Sequence, residues 1–160
     1  MKPKTLALIA LLVIGIAGIV IWVIISDYNE RQDNMATSVT EAVMYKNSGC
    51  QCCDKWATYM GRYGYNISIQ PVSNMPEIKD EYHIPKDMES CHTTLIDGYS
   101  VEGHVPVKDI NRLLNERPDA VGISAPGMPA SSPGMDVSSE PYDTYLLNSD
   151  GSNIHFVRHE

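Results

Sequence analysis

The order of apolar patterns along this chain predicts an α/β domain preceded by one N-terminal transmembrane helix and followed by a Gly/Pro/Met-rich loop and a terminal hairpin. Three observations carry that expectation. Short β-branched runs alternate with runs of helical period between Val39 and Pro118, a 20-residue apolar run stands ahead of them, and the composition shifts to Gly, Pro, Ser and Met from Ala120 to Pro141.

The apolar run is Leu6 to Ile25, long enough at 1.5 Å per residue to cross a hydrocarbon core of about 30 Å. Lys2 and Lys4 precede it, so the positive-inside bias leaves everything from Ser26 onward exported. A basic start and an apolar stretch also fit a cleaved signal peptide that would release a soluble domain. Ser26-Asp27-Tyr28-Asn29-Glu30 follows in place of a small-x-small cleavage site, and this favours an uncleaved anchor over residues 1–25. Residues 26–38 are polar and aperiodic and read as a tether; residues 39–118 read as the folded domain and 119–160 as a loop and hairpin packed on it.

Val39–Tyr45 is the first expected strand. Trp56, Tyr59, Met60 and Tyr63 then recur at i, i+3, i+4 and i+7 and predict a helix from Cys53 that stops at the glycines Gly61 to Gly64. Asn66–Val72 alternates as a second strand. Asn74 with Glu77 resembles a capping box opening a short helix to about Tyr82. Thr93–Ile96 and Tyr99–Val101 flank Asp97-Gly98, a dipeptide that accepts the positive φ angles of a type I′ hairpin turn. Pro106 suits a first helical position, Ile110, Leu113 and Leu114 supply an apolar stripe, and Pro118 ends it. Tyr142–Leu147 and Ser152–Val157 form the expected closing hairpin. Strand, helix, strand, helix, hairpin, helix, with cysteines on the turn into the first helix, is the thioredoxin-like arrangement.

Twelve basic against twenty acidic residues give a net charge of −8, which excludes a nucleic-acid partner dependent on clustered Lys and Arg. No Ser/His/Asp set, phosphate loop or two-His zinc motif occurs, and the scattered carboxylates give no reason to propose hydrolysis. His83, His155 and His159 read as surface residues.

The chemistry concentrates in Ser48-Gly49-Cys50-Gln51-Cys52-Cys53. Three of the four cysteines sit there, at a helix N-terminus whose free N–H groups favour thiolate. A framework of disulfides stabilises most when it closes long loops, and this spacing does not. Cys50 and Cys53 form a CxxC that suits a dithiol redox pair; Cys52 between them makes a metal site the better fit. Cys91-His92 enters the Thr93 strand where a thioredoxin-like fold commonly has a cis-proline, so a thiol and an imidazole are expected to face the cysteine turn. Thiolates select Cu(I), zinc or iron–sulfur centres, and imidazole suits several of these metals. The alternative for Cys91 is a buried small hydrophobe or a disulfide with Cys52. His104, after the hairpin, lies at the same end of the expected sheet. Met128 and Met135, on repeated Pro-Gly-Met turns, are candidate thioether ligands that favour Cu(I), or else packing residues.

Lys46-Asn47-Ser48-Gly49-Cys50-Gln51-Cys52-Cys53-Asp54-Lys55-Trp56, Ser90-Cys91-His92-Thr93, Asp97-Gly98-Tyr99, Val101-Glu102-Gly103-His104-Val105-Pro106 and the Pro-Gly-Met loop occur in that order. In them the chain resembles the CopG-type copper-resistance proteins, an exported CxCC family formerly classed only as a domain of unknown function. The resemblance spans roughly Val39 to Gly151. It implies a periplasmic, thioredoxin-like protein of copper resistance that binds Cu(I), one ion or a small cluster, through Cys50, Cys52, Cys53 and Cys91, and that exchanges between thiol and disulfide forms. His104 and the Pro-Gly-Met residues match family motifs. The implied partners are copper ions, other periplasmic copper-handling proteins and, through residues 6–25, the inner membrane. The competing function is a thiol-disulfide oxidoreductase with Cys50 as nucleophile and Cys53 as resolving thiol.

Overall fold

Alternation of apolar residues in period 2, interrupted by stretches of period 3.6, folds here into a mixed seven-stranded sheet with helices on both faces. The computed structural model describes residues 15–27 and 39–160, and the chain divides into two compact units, Met1–Ser38 and Val39–Glu160. In the first unit residues 15–27 are helical (α1) with exposed apolar side chains such as Trp22. Among the described residues no helix is long and apolar enough to cross a membrane. The expected anchor begins at Leu6 and the expected tether runs to Ser38, so much of both lies outside the described residues.

The second unit runs β1 (Thr40–Asn47), α2 (Gln51–Gly61), β2 (Tyr65–Val72), α3 (Met75–Glu81), a 3-10 turn (Lys86–Met88), β3 (His92–Ile96), β4 (Tyr99–Glu102), α4 (Val107–Glu116), β5 (Gly122–Ser124), β6 (Tyr142–Leu147) and β7 (Asn153–His159). The sheet order is β2-β1-β3-β4-β5-β6-β7. β1 pairs parallel with β2 and antiparallel with β3; β4 pairs parallel with β5, and the remaining neighbours are antiparallel.

On β1 the residues Ala42 and Met44 face a core built with Trp56 and Met60 of α2, Ile110 and Leu113 of α4, Ile96, Val101 and Ile123. Tyr45, one position on and therefore on the other face, stacks on Tyr82 at 6.0 Å, beside a second cluster of Ile84, Met88 and Leu147. Helices α2 and α4 thus cover one face and the α3 segment the other.

Asp97 and Gly98 take φ of 47° and 88°, the left-handed pair that the hairpin turn requires. Pro106 is the cap before α4 rather than its first residue, and Arg117 closes that helix in a left-handed conformation one residue before Pro118. The expected capping box is not formed as such: Asn74 spends its side-chain amide on the Glu77 carboxylate, 2.6 Å away, and its carbonyl accepts the Glu77 N–H. Tyr63 lies beyond the end of α2 and is exposed.

The largest departure concerns the stretch from Ala120 to Pro141. It holds β5, whose three residues are too short to show a period, and β5 carries the terminal hairpin into the sheet as its last two strands.

Candidate metal centre

The end of β1 delivers the cysteines. Asn47 accepts the Cys50 N–H at 3.0 Å, closing the turn, and α2 starts at Gln51, two residues earlier than the periodicity indicates. Cys50 occupies the N-cap with no side-chain capping bond. The helical pitch then turns Cys53, Trp56 and Met60 inward to complete burial and leaves Cys50 and Cys52 half-buried. Trp56 is pinned by its indole N–H, which donates to the Val105 carbonyl at 2.9 Å.

Antiparallel pairing brings the second group of residues to the same place. Lys46 lies opposite His92 in the β1/β3 register, so Cys91 and His92 arrive where the cysteine turn begins. Cys50 and Cys53 form a disulfide, and Cys52 and Cys91 are free thiols. The Cys52 Sγ lies 3.4 Å from Cys50 Sγ and 4.0 Å from Cys91 Sγ, so the expected alternative of a Cys52–Cys91 disulfide is not formed. The side-chain sulfurs of Cys50, Cys52, Cys53 and Cys91 all lie within 4.8 Å of one another.

A second donor set shares Cys53: its sulfur and one ring nitrogen each of His92 and His104 lie within 4.8 Å of one another, all three residues being fully buried. His104 Nδ1 is 2.8 Å from the Pro133 carbonyl, which can only accept, so the proton resides on Nδ1 and Nε2 keeps its lone pair. That Nε2 and both ring nitrogens of His92 are buried without a hydrogen-bond partner. Buried polar atoms are nearly always satisfied, so three unpartnered nitrogens beside a cysteine sulfur fit a set of metal-ligating donors better than a packed core.

The electrostatics agree. Burial pushes His92 well below the ordinary imidazole range, with the neighbouring His104, Lys79 and Lys46 adding to it. Burial also lowers His104, although the Pro133 carbonyl opposes the shift. Both rings are therefore neutral at pH 7, the form that ligates. Cys91, off the helix, is pushed up to about 12, first by burial and then by Cys52. A cation among these sulfurs removes the penalty on ionising them.

Two ion pairs hold the site from behind, one wholly buried and one joining a buried lysine to a half-exposed aspartate, and residue type alone points to neither. Lys46, almost wholly buried, donates to the Cys50 carbonyl at 3.0 Å and pairs with the Asp54 carboxylate at 2.8 Å. Its signal lies in the period: Ala42, Met44 and Lys46 share one face of β1. Glu102 is fully buried and accepts hydrogen bonds from Lys79, from Thr93 Oγ1 at 2.6 Å and from the Ser90 N–H at 2.6 Å, fixing the backbone next to Cys91. Burial pushes its carboxyl up, against the pull of Lys79 and the other two donors.

The Pro-Gly-Met loop straps the site. A Cβ on Gly134 would lie 2.8 Å from the Trp56 nitrogen and 3.3 Å from the Cys52 carbonyl, so the strap passes directly over the start of α2 at a φ of +83° that favours glycine. Of the eight residues singled out in the sequence, Cys50, Cys52, Cys53, Cys91, His92 and His104 are brought together. Met135 is half-buried one residue after Gly134, and Met128 is 63% exposed beside Cys91, at the rim of a surface depression. Of the three histidines expected at the surface, His83 and His155 are exposed, while His159 is half-buried, 2.8 Å from Asp109 and stacked on Tyr142.

Residues 88–135 match the family model described as "Protein of unknown function, DUF411". The chain is also similar to two solved structures, "Copper resistance protein copG- Form 1" and "Copper resistance protein copG- Form 2", each at 33% identity. The first has a TM-score of 0.72 and the match covers 76% of this chain and 98% of that one; for the second the values are 0.73, 77% and 100%. No curated protein matches the chain.

Proposed function

The chain belongs to the CopG copper-resistance family, and from that premise we propose that it is a periplasmic Cu(I)-binding protein that contributes to copper resistance by holding copper between the Cys50–Cys53 turn, Cys91, His92 and His104. The observation that carries this reading is the shared Cys53: three further sulfurs on one side of it and two neutral imidazoles with unpartnered ring nitrogens on the other form one continuous soft donor surface. Thiolates with imidazole accept zinc as well as copper, and the excess of sulfur over nitrogen favours Cu(I). More donors are present than one ion needs, which supports occupancy by more than one copper. The disulfide must be reduced before Cys50 and Cys53 can ligate, so copper binding is coupled to thiol redox state.

The thioredoxin-like description belongs to this reading. It is supported by the order strand, helix, strand, helix, hairpin, helix in the first four strands and by the cysteine turn leading into α2. Anchoring to the inner membrane rests on the apolar run from Leu6 and on Lys2 and Lys4.

Anaerobic titration of the reduced full chain with Cu(I) against a competing chelator, with free thiols counted before and after, tests the proposal. Retention of more than one copper with all four thiols protected is the expected result. Loss of all copper to the chelator overturns it.

A second reading draws on the Cys50–Cys53 disulfide itself, with Cys50 half-buried and Cys53 fully buried. In a thiol-disulfide oxidoreductase the more accessible thiolate, Cys50, attacks a substrate disulfide. One substrate sulfur leaves as thiolate, and Cys53 then displaces the other from Cys50, so that the substrate gains two electrons and the enzyme disulfide forms. Cys52→Ser separates the two readings: a copper site loses affinity or stoichiometry, whereas a Cys50/Cys53 redox pair keeps most of its activity.

A further inference from the structure

The donors are graded in exposure. His92, His104 and Cys53 are fully buried, Cys50, Cys52 and Cys91 are half-buried, and Met128 is 63% exposed. Cys91 and Met128 line one surface depression of about 310 Å³ together with Glu89, Ser90 and Gly127. Their proximity is built into the backbone. Ser90 and Gly127 form an isolated parallel bridge, the Gly127 N–H donates to the Glu89 carbonyl at 2.8 Å, and the Ser90 hydroxyl donates to the Gly127 carbonyl. The residues that follow the bridge on the two segments are Cys91 and Met128. Pro129 further restricts the Met128 backbone toward extended conformations, so the loop is held while the thioether stands in solvent.

We propose that Met128 and Cys91 form an exchange port, at which Cu(I) carried on thioether or thiolate ligands of a partner protein is captured by Met128 and passed inward through Cys91 to Cys52 and the buried donors. This deepens the copper-binding reading and rests on it. Cu(I) moves between proteins by exchange of soft ligands, each incoming donor attaching before the outgoing one leaves, so the ion is never released as a free cation. A first donor must then be exposed enough to approach a partner's ligands, and the next must be within its reach. Met128 meets the first condition and Cys91 the second. Cys52, 4.0 Å from Cys91, continues the line inward. A neutral thioether binds Cu(I) more weakly than a thiolate does, and the gradient of affinity therefore runs from the surface to the interior. Met128 is thus a transfer ligand, not one that holds the ion at rest.

The experiment follows the loading of the reduced full chain, under anaerobic stopped flow, from Cu(I) carried on a synthetic peptide with two methionines. Wild type, Met128→Leu and Met128→His are compared for rate and for final copper content. The expected result is that Met128→Leu loads about tenfold more slowly, as for the loss of one interaction in the transfer step, and reaches the wild-type copper content. Met128→His, which restores a ligand at the same exposed place, recovers most of the rate. An unchanged rate in Met128→Leu overturns the port. So does a lower final copper content with an unaltered rate, because Met128 would then be a resident ligand. Failure of the wild type to retain any copper sinks the copper reading itself, an outcome separate from any ratio of rates.

Discussion

Replacing Lys79 by methionine removes the ammonium that faces the Glu102 carboxylate in the interior. Lys79 and Glu102 side chains are 6% and 0% exposed, so neither charge can turn to water. The stem of lysine is matched by methionine, and the loss is therefore mostly electrostatic. Stranding one member of a buried pair costs about 3–5 kcal/mol, although the Thr93 hydroxyl and the Ser90 N–H still reach Glu102. The double variant Lys79→Met/Glu102→Gln behaves differently. It buries no charge, and the glutamine carbonyl can accept from Ser90 while its amide donates to the Thr93 oxygen. Its expected cost is about 1 kcal/mol or less, the usual level for a satisfied neutral network. The measurement is urea denaturation of the metal-free protein at pH 7. With a slope of about 2 kcal/mol per molar, the single variant loses about 2 M in midpoint and the double less than about 0.5 M. In the single variant the carboxyl, already pushed up by burial, rises further. An acid raised in the folded state adds stability at low pH that is lost as pH climbs from its unfolded value of 4.5, so the deficit shrinks on going from pH 7 to pH 5. A single variant within about 1 kcal/mol of wild type, or a double as damaged as the single, refutes the account of Glu102 as a charge held in place by Lys79.

Acidification should weaken the metal-free protein through its imidazoles. His92 and His104 sit below 6.5 when folded and return to that value on unfolding, so the unfolded chain binds more protons as pH falls below about 6.5, and stability drops by up to about 1.4 kcal/mol per pH unit for each ring. In the Lys79→Met/Glu102→Gln background, which removes the carboxyl whose linkage runs the other way, equal denaturation midpoints at pH 7.5 and 5.5 would contradict buried neutral rings. Gly134→Ala places a methyl against Trp56 in a left-handed conformation, with an expected cost of about 1–2 kcal/mol for the backbone and about 1–3 for overpacking, together with weaker copper retention as the strap lifts. Unchanged thermal stability and copper affinity would show that the strap yields freely. Trp56 lies 4.7 Å from the His92 ring, so in a Trp22→Phe background its fluorescence should change on copper loading and return when the metal is stripped; a signal indifferent to copper would remove His92 from the site.

Local patterns by themselves determine much of this protein. Two-residue and 3.6-residue periods locate β1, α2, β2, β3, β4 and α4, and the Asp97-Gly98 turn is readable because its backbone requirement is met by the dipeptide itself. The crowding of Cys50, Cys52 and Cys53 announces a soft-metal or redox site, since thiol spacing is a property of the chain alone. Tertiary structure decides what depends on residues remote in sequence. Pairing of β1 with β3 puts His92 beside the cysteine turn, and a loop carbonyl from Pro133 selects the free nitrogen of His104. β5 is held by its neighbours on both sides, with only three residues of its own to signal it. Lys46, Lys79 and Glu102 look like surface charges by type; only the closed interior makes them partners that hold the turn and the Ser90-Cys91 segment in place. The physical reason is range: a period or a turn is an energy of adjacent residues, whereas a donor set is an energy of residues that meet only when the sheet closes.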